Sequence, residues 1–156
     1  MIKIKIFSFL FFILISFNNL LAKEPSTLIT EIVNEASLIL SSSDPVEAKI
    51  IKLNNIAEIN ADIEGIGMYT LGKYRKTLNE EQKIKYKKLF KSYFLKSFSS
   101  RLVDYSDPKI FVVSEKKINE KYTIVNTILE ETSKNPEIKI DWRIYTKNPE
   151  RPLIRD

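Results

Sequence analysis

Apolar positions along this chain keep two different rhythms, and the change falls near residue 108. Before it, the spacing is helical. Behind Pro25 and Ser26, the residues Leu28, Ile29, Ile32, Val33, Ala36, Ile39 and Leu40 recur at steps of three and four, which predicts a first amphipathic helix. Asp44 is placed to cap a second, with Pro45 in its first position, running to about residue 59. A short segment at 62–76 leads to the strongest pattern of the chain. Asn79 can cap a long helix there, and Gln82 can reach back to complete a capping box. Beyond the cap, Tyr86, Leu89, Phe90, Tyr93, Phe94, Phe98, Leu102 and Tyr105 fall on one face. Lys83, Lys85, Lys87, Lys88, Lys91 and Lys96 fall mostly on the other. A helix of about 26 residues reaching to position 105 would span roughly 39 Å. Its wide, aromatic-rich stripe must be covered by something large and apolar, either protein or lipid.

Ser106-Asp107-Pro108 breaks that helix, and from Lys109 onward the period becomes two. Residues 110–113 read as a short strand and 121–131 as a longer one. In the longer strand, Tyr122, Ile124 and Ile128 lie on one side and Val125 and Leu129 on the other. Asn135-Pro136 marks a turn. Residues 137–145 alternate cleanly, with Ile138, Ile140, Trp142 and Ile144 on one face and Lys139, Asp141 and Arg143 on the other. Helices therefore come first and an antiparallel sheet follows, an α+β layout of one domain. The apolar face of the sheet is expected to pack on the aromatic stripe of the long helix, with Phe94, Phe98 and Trp142 at the junction.

The N-terminus adds an address. Lys3 and Lys5 precede an apolar run at 6–17, followed by Asn18, Asn19, Leu20, Leu21 and Ala22. A basic start, an apolar centre and a small residue at position 22 read as a signal peptide over 1–22, cleaved before Lys23. The alternative is a retained membrane anchor, for which the run falls short of the ~20 residues a spanning helix needs. No cysteine stands at the junction to carry a lipid anchor. Residues 1–22 hold two lysines and no acid, so the remainder carries 23 basic and 20 acidic side chains, a net charge of +3. Lysine and glutamate are interleaved, as in EEQKIKYKK, which disfavours a nucleic-acid surface.

The inventory removes most enzyme chemistry. With no Cys there is no thiol nucleophile and no thiolate metal site; with no His there is no imidazole base and no HExxH zinc site. Gly65, Gly67 and Gly72 do not form a phosphate loop. Asp62 and Glu64 could act as an acid–base pair, but capping the next segment is the simpler role for Asp62. Arg101 near Tyr105 could meet a phosphate or remain solvated. Lys116 and Lys117 are expected in a loop after the first strand.

Asp62, Ile66, the run Thr70-Leu71-Gly72-Lys73-Tyr74, Thr77, Glu81-Gln82, Phe90, Phe94, Arg101, Leu102 and Tyr105 stand in a characteristic order. In that order and spacing the chain resembles the MlaC family, periplasmic phospholipid-binding proteins also called toluene-tolerance proteins. It departs at Arg75, where the family commonly carries an aromatic residue. The resemblance covers roughly 26–156 and implies N-terminal helices on a twisted antiparallel sheet, an NTF2-like cone with an apolar pocket. Lipid tails would lie against Ile66, Tyr69, Phe94, Phe98, Leu102, Ile124, Ile128, Ile138, Ile140, Trp142 and Ile144. The implied function is non-enzymatic, without metal or cofactor. A phospholipid would be shuttled through the periplasm between an inner-membrane ABC lipid transporter and an outer-membrane lipoprotein–porin complex, maintaining outer-membrane lipid asymmetry. The competing readings are an envelope interaction module of the same fold with a filled core and, more distantly, a hydrolase that works without histidine. The family continues past the position of Asp156 with a further strand and helix, so the sheet is expected to end on a ragged fourth strand, leaving the product prone to self-association.

Overall fold

A computed structural model of the protein describes residues 23–132 and 136–156. The expected signal segment at 1–22, and Asn135 of the expected turn, lie outside the described residues. Among the described residues, four α-helices precede a four-stranded sheet: α1 (Pro25–Ser41), α2 (Val46–Asn60), α3 (Ile63–Thr70), a 3-10 turn (Gly72–Lys76), α4 (Glu80–Leu102), then β1 (Ile110–Asn119), β2 (Tyr122–Leu129), β3 (Ile138–Tyr145) and β4 (Leu153–Ile154). The strands form an antiparallel meander in the order β1-β2-β3-β4. The α+β expectation holds. Among the described residues, no helix is long and apolar enough to cross a membrane.

Local chemistry explains where the helices start. The capping box at α4 is formed: the Gln82 amide N–H donates to Asn79 Oδ1 at 2.9 Å, and the Asn79 N–H donates to Gln82 Oε1 at 3.0 Å. At α3 the Asp62 carboxylate accepts from the Gly65 N–H at 2.9 Å, so Asp62 caps as expected. The cap of α2 differs from expectation. Pro45, not Asp44, occupies the N-cap position and brings no side-chain acceptor. Asp44 instead pairs with Lys52 at 2.6 Å, and that hydrogen bond holds its carboxyl below its ordinary value. Helix α1 borrows its cap from the sheet, the Ser26 N–H donating to Glu115 on β1 at 2.8 Å.

Helix α1 lies on the sheet. Leu28, Ile29, Ile32 and Val33 join Ile56, Val125 and Ile144 in one buried cluster. Thr123, Val125, Thr127 and Leu129 of β2 all face this layer, and their direct partners on β3 are Ile144, Trp142, Ile140 and Ile138. Ile124 and Ile128 therefore point to the opposite side of the sheet. Strand β2 is apolar on both faces, so its own pattern does not choose between them. The neighbours do: Ile124 stands between Lys116 and Arg143, and Ile128 stands opposite Lys139. Those charges hold the outer face in water and set the register.

Strand β1 runs to Asn119, beyond the expected end at residue 113. Lys116 and Lys117 are thus strand residues opposite Ile124 and Thr123, not loop residues. The register slips between Val112 and Ser114 and again between Lys117 and Asn119. Bulges and lysines on an edge strand discourage pairing with another chain.

Helix α4 does not pack on the sheet as expected. Its main partners are α2 and α3. Lys91 pairs with Glu58 of α2 at 2.7 Å, Lys87 pairs with Glu64 of α3 at 2.9 Å, and the Tyr86 and Thr70 hydroxyls are 2.8 Å apart. Its apolar stripe is also narrower than expected, because Leu89 is 60% exposed and Tyr93 70%. What remains is an i,i+4 ladder of Tyr86, Phe90, Phe94 and Phe98, with successive ring centroids 5.9, 6.1 and 6.1 Å apart.

The ladder depends on a glycine. A Cβ at buried Gly67 would stand 2.6 Å from Phe90 Cδ1 and 2.9 Å from its Cγ. These atoms are at the base of the ring and cannot swing clear alone. Gly67→Ala should therefore destabilise the fold by about 1–3 kcal/mol through overpacking, even though alanine favours a helix by about 1 kcal/mol. Thermal melts check this; a melting temperature equal to the parent's would show that α3 and α4 can separate freely.

Candidate ligand cavity

The separation of α4 from the sheet leaves a space. Its volume is about 500 Å³ and its walls are almost wholly apolar. One wall comes from α4 and α3, with Ile66, Phe94, Phe98 and Leu102. The opposite wall comes from the sheet, with Leu129, Ile138, Ile140 and Trp142. Helices α1 and α2 close it with Val33, Leu40, Leu53 and Ile56 among others. Volume and lining fall in the range of small-molecule sites, which are typically 300–1,000 Å³ and mostly hydrophobic.

Trp142 shows how the wall is kept apolar. Its indole N–H donates to Thr127 Oγ1, on the same face of the neighbouring strand, at 2.9 Å. The one polar atom of the side chain is thus satisfied within the sheet, leaving the ring to the cavity. The floor is fastened near the helix-to-sheet crossing: the Ser37 hydroxyl donates to the Pro108 carbonyl at 2.9 Å, and the Ser41 hydroxyl to Asp107 at 3.0 Å. Four of the lining residues are exposed: Arg101, Ile138, Asp141 and Asp156. Arg101 has no ionic partner among the described residues.

Of the residues expected to line a pocket, Ile66, Phe94, Phe98, Leu102, Ile138, Ile140 and Trp142 do line this cavity. Four do not. Ile144 shares the inner face but is fully buried under α1, where the core is solid. Ile124 and Ile128 belong to the outer face, by the register set out above. Tyr69 is 73% exposed and borders a separate cleft with Arg75, Tyr122, Arg143 and Arg155. Helices α1 and α2 also line the cavity, as do Ile110, Leu129 and Ile154, beyond the residues expected from pattern.

Asp62 and Glu64 do not face each other as acid and base: Asp62 binds the Gly65 N–H and Arg155, while Glu64 pairs with Lys87. Among the described residues, no group of three or more His, Cys, Asp or Glu could hold a metal ion. What the cavity offers is apolar surface shielded from water.

Comparison with known proteins agrees with this architecture. The sequence model of the family described as "MlaC protein" matches residues 27–156. A comparison with curated proteins gave no match. Among solved structures, the chain is similar to the phospholipid-binding protein from Ralstonia solanacearum in complex with a phospholipid. The TM-score is 0.71 at 13% identity, covering 86% of this chain and 76% of that one, a likeness of fold. With a family match over nearly the whole described chain, joined to this helix-and-sheet architecture, the protein belongs to the MlaC family.

Proposed function

We propose that this protein is a periplasmic phospholipid carrier, a binding protein rather than an enzyme. It accepts a phospholipid, shields the acyl chains, and passes the lipid between an inner-membrane ABC transporter and an outer-membrane lipoprotein–porin complex. The observation that carries the reading is the apolar cavity between α4 and the sheet. It occurs in a fold shared with a protein that holds a phospholipid. Each buried methylene contributes about 0.8 kcal/mol. Ten of them therefore contribute about 8 kcal/mol, the free energy of micromolar binding. No catalytic group is needed for such a task. The phosphate of the lipid would remain near the exposed lining residues, within reach of the unpaired Arg101.

Export follows from the basic and apolar segment at 1–22, which ends in Ala22. Protein isolated from the cell envelope should begin at or near Lys23 and release phospholipid on organic extraction, at up to one molecule per chain by native mass spectrometry. A compact protein that never carries lipid would favour the interaction module with a filled core. An intact Met1 in the envelope fraction would favour a membrane anchor.

A further inference from the structure

From Gln82 to Val103 the chain carries Lys83, Lys85, Lys87, Lys88, Lys91, Lys96 and Arg101 and no carboxylate at all. Three of these lysines are occupied: Lys83 by Glu80, Lys87 by Glu64 and Lys91 by Glu58. The carboxylates that α2 and α3 bring against this helix are thereby used. Lys85, Lys88 and Lys96 have no ionic partner among the described residues. At 100° per residue they form one stripe of α4 with Leu89, Ser92 and Tyr93, and all six are exposed. Glu81 lies at one end of the stripe and Asp104 beyond the other. The turn that feeds α4 adds exposed Lys73, Tyr74, Arg75 and Lys76.

We infer that this stripe is a docking surface for an anionic phospholipid bilayer. The inference deepens the carrier reading, on which it rests for its purpose: a lipid carrier must approach a membrane to exchange its load. Charge complementarity selects the occupant. Unpaired lysines attract anionic headgroups, and their aliphatic stems extend beside Leu89 and Tyr93, which can enter the interfacial layer. Tyrosine is enriched at that depth. The shape favours a bilayer over an acidic protein. The stripe lies on the exposed side of a helix, and none of Lys85, Lys88, Leu89, Tyr93 or Lys96 lines the apolar cavity or the cleft beside Tyr69. Protein hot spots are buried in pockets, whereas a fluid headgroup layer conforms to a ridge.

Sedimentation of the lipid-loaded protein with vesicles tests this. Vesicles containing phosphatidylglycerol should pull it down at low salt, and those of phosphatidylcholine alone should not. Binding should fade as salt shortens the screening length to ~10 Å and below. Neutralising the stripe by Lys85→Gln, Lys88→Gln and Lys96→Gln should weaken partition about a hundredfold, since each cation near an anionic surface contributes about fivefold. Leu89→Ala with Tyr93→Ala should weaken it also, with no change in melting temperature, because both side chains are exposed. Equal binding to neutral vesicles, or undiminished binding after neutralisation, overturns the inference. So does an acidic protein, but no vesicle, competing for the stripe. The neutralised variant should still carry its cavity lipid by mass spectrometry. A parent protein that carries lipid but binds no anionic vesicle therefore marks failure of the surface, and one that binds anionic vesicles but never carries lipid marks failure of the carrier reading.

Discussion

Phe98→Asp should lose the bound lipid and lower stability together. Phe98 is half-buried on the cavity wall and stacks on Phe94 at 6.1 Å with the rings 5° from parallel. Removing the ring shortens the aromatic ladder and strips apolar surface from one wall. Large-to-small changes of this kind cost about 3 kcal/mol, less where the site is partly open. The carboxylate adds a second effect. Against lipid tails it is desolvated without a partner, which costs several kcal/mol unless the group takes up a proton. Apparent lipid affinity should fall at least a hundredfold at neutral pH. Burial raises the pKa of such a carboxyl, so retention should partly return as pH falls through the raised value, where the neutral acid forms. Phe98→Leu, which keeps the wall apolar, should hold lipid and lose only modest stability. Lipid release assays on the three proteins, read beside thermal melts, decide the matter. Unchanged retention with unchanged stability in Phe98→Asp would sink the assignment of Phe98 to the lipid site.

Much of this architecture was legible in local pattern, and its failures share a cause. The caps of α3 and α4 were readable because a cap involves residues three apart. The inward face of β3 was readable because its other face is charged: Lys139, Asp141 and Arg143 cannot be buried unpaired. Strand β2 offered no such asymmetry, so Ile124 and Ile128 were chosen where Val125 and Leu129 face inward. Lys116 and Lys117 hid the second half of β1, because edge-strand lysines look like loop residues in a one-dimensional pattern. The greatest gap concerns α4. Periodicity showed that it has an apolar face but not what that face meets. A stripe that packs on protein and a stripe that borders a cavity have the same spacing. Only the placement of α2 and α3 beneath α4 shows that the sheet is held away from Phe94 and Phe98.

Asp62 links the helical layer to the sheet. Its Oδ1 accepts from the Gly65 N–H at 2.9 Å and its Oδ2 from Arg155 Nε at 2.7 Å, while its own N–H donates to the Ile154 carbonyl at 2.8 Å. Arg155 in turn donates to the Tyr122 hydroxyl at 3.2 Å, and its guanidinium lies 3.8 Å from the Tyr145 ring centroid. One carboxylate thus caps α3 and ties it to the end of the edge strand β4. The tie spans 93 residues of sequence, which is why pattern alone showed only the cap. Asp62→Ala should lose the cap, about 1 kcal/mol, and a charge-assisted hydrogen bond of about 1.5–3 kcal/mol, reduced by the partial exposure of both groups. The expected total is about 2–3 kcal/mol, a fall of order 10 °C in melting temperature for a domain of this size. Asp62→Asn separates the two roles, because asparagine caps as well as aspartate but leaves Arg155 without its counter-ion. It should recover about a third of the lost stability, and the remainder should shrink in high salt. Full recovery with asparagine would assign the whole effect to the cap. The link between the layers would then rest on the apolar packing of α1 against the sheet, and lipid retention in Asp62→Ala should equal that of the parent.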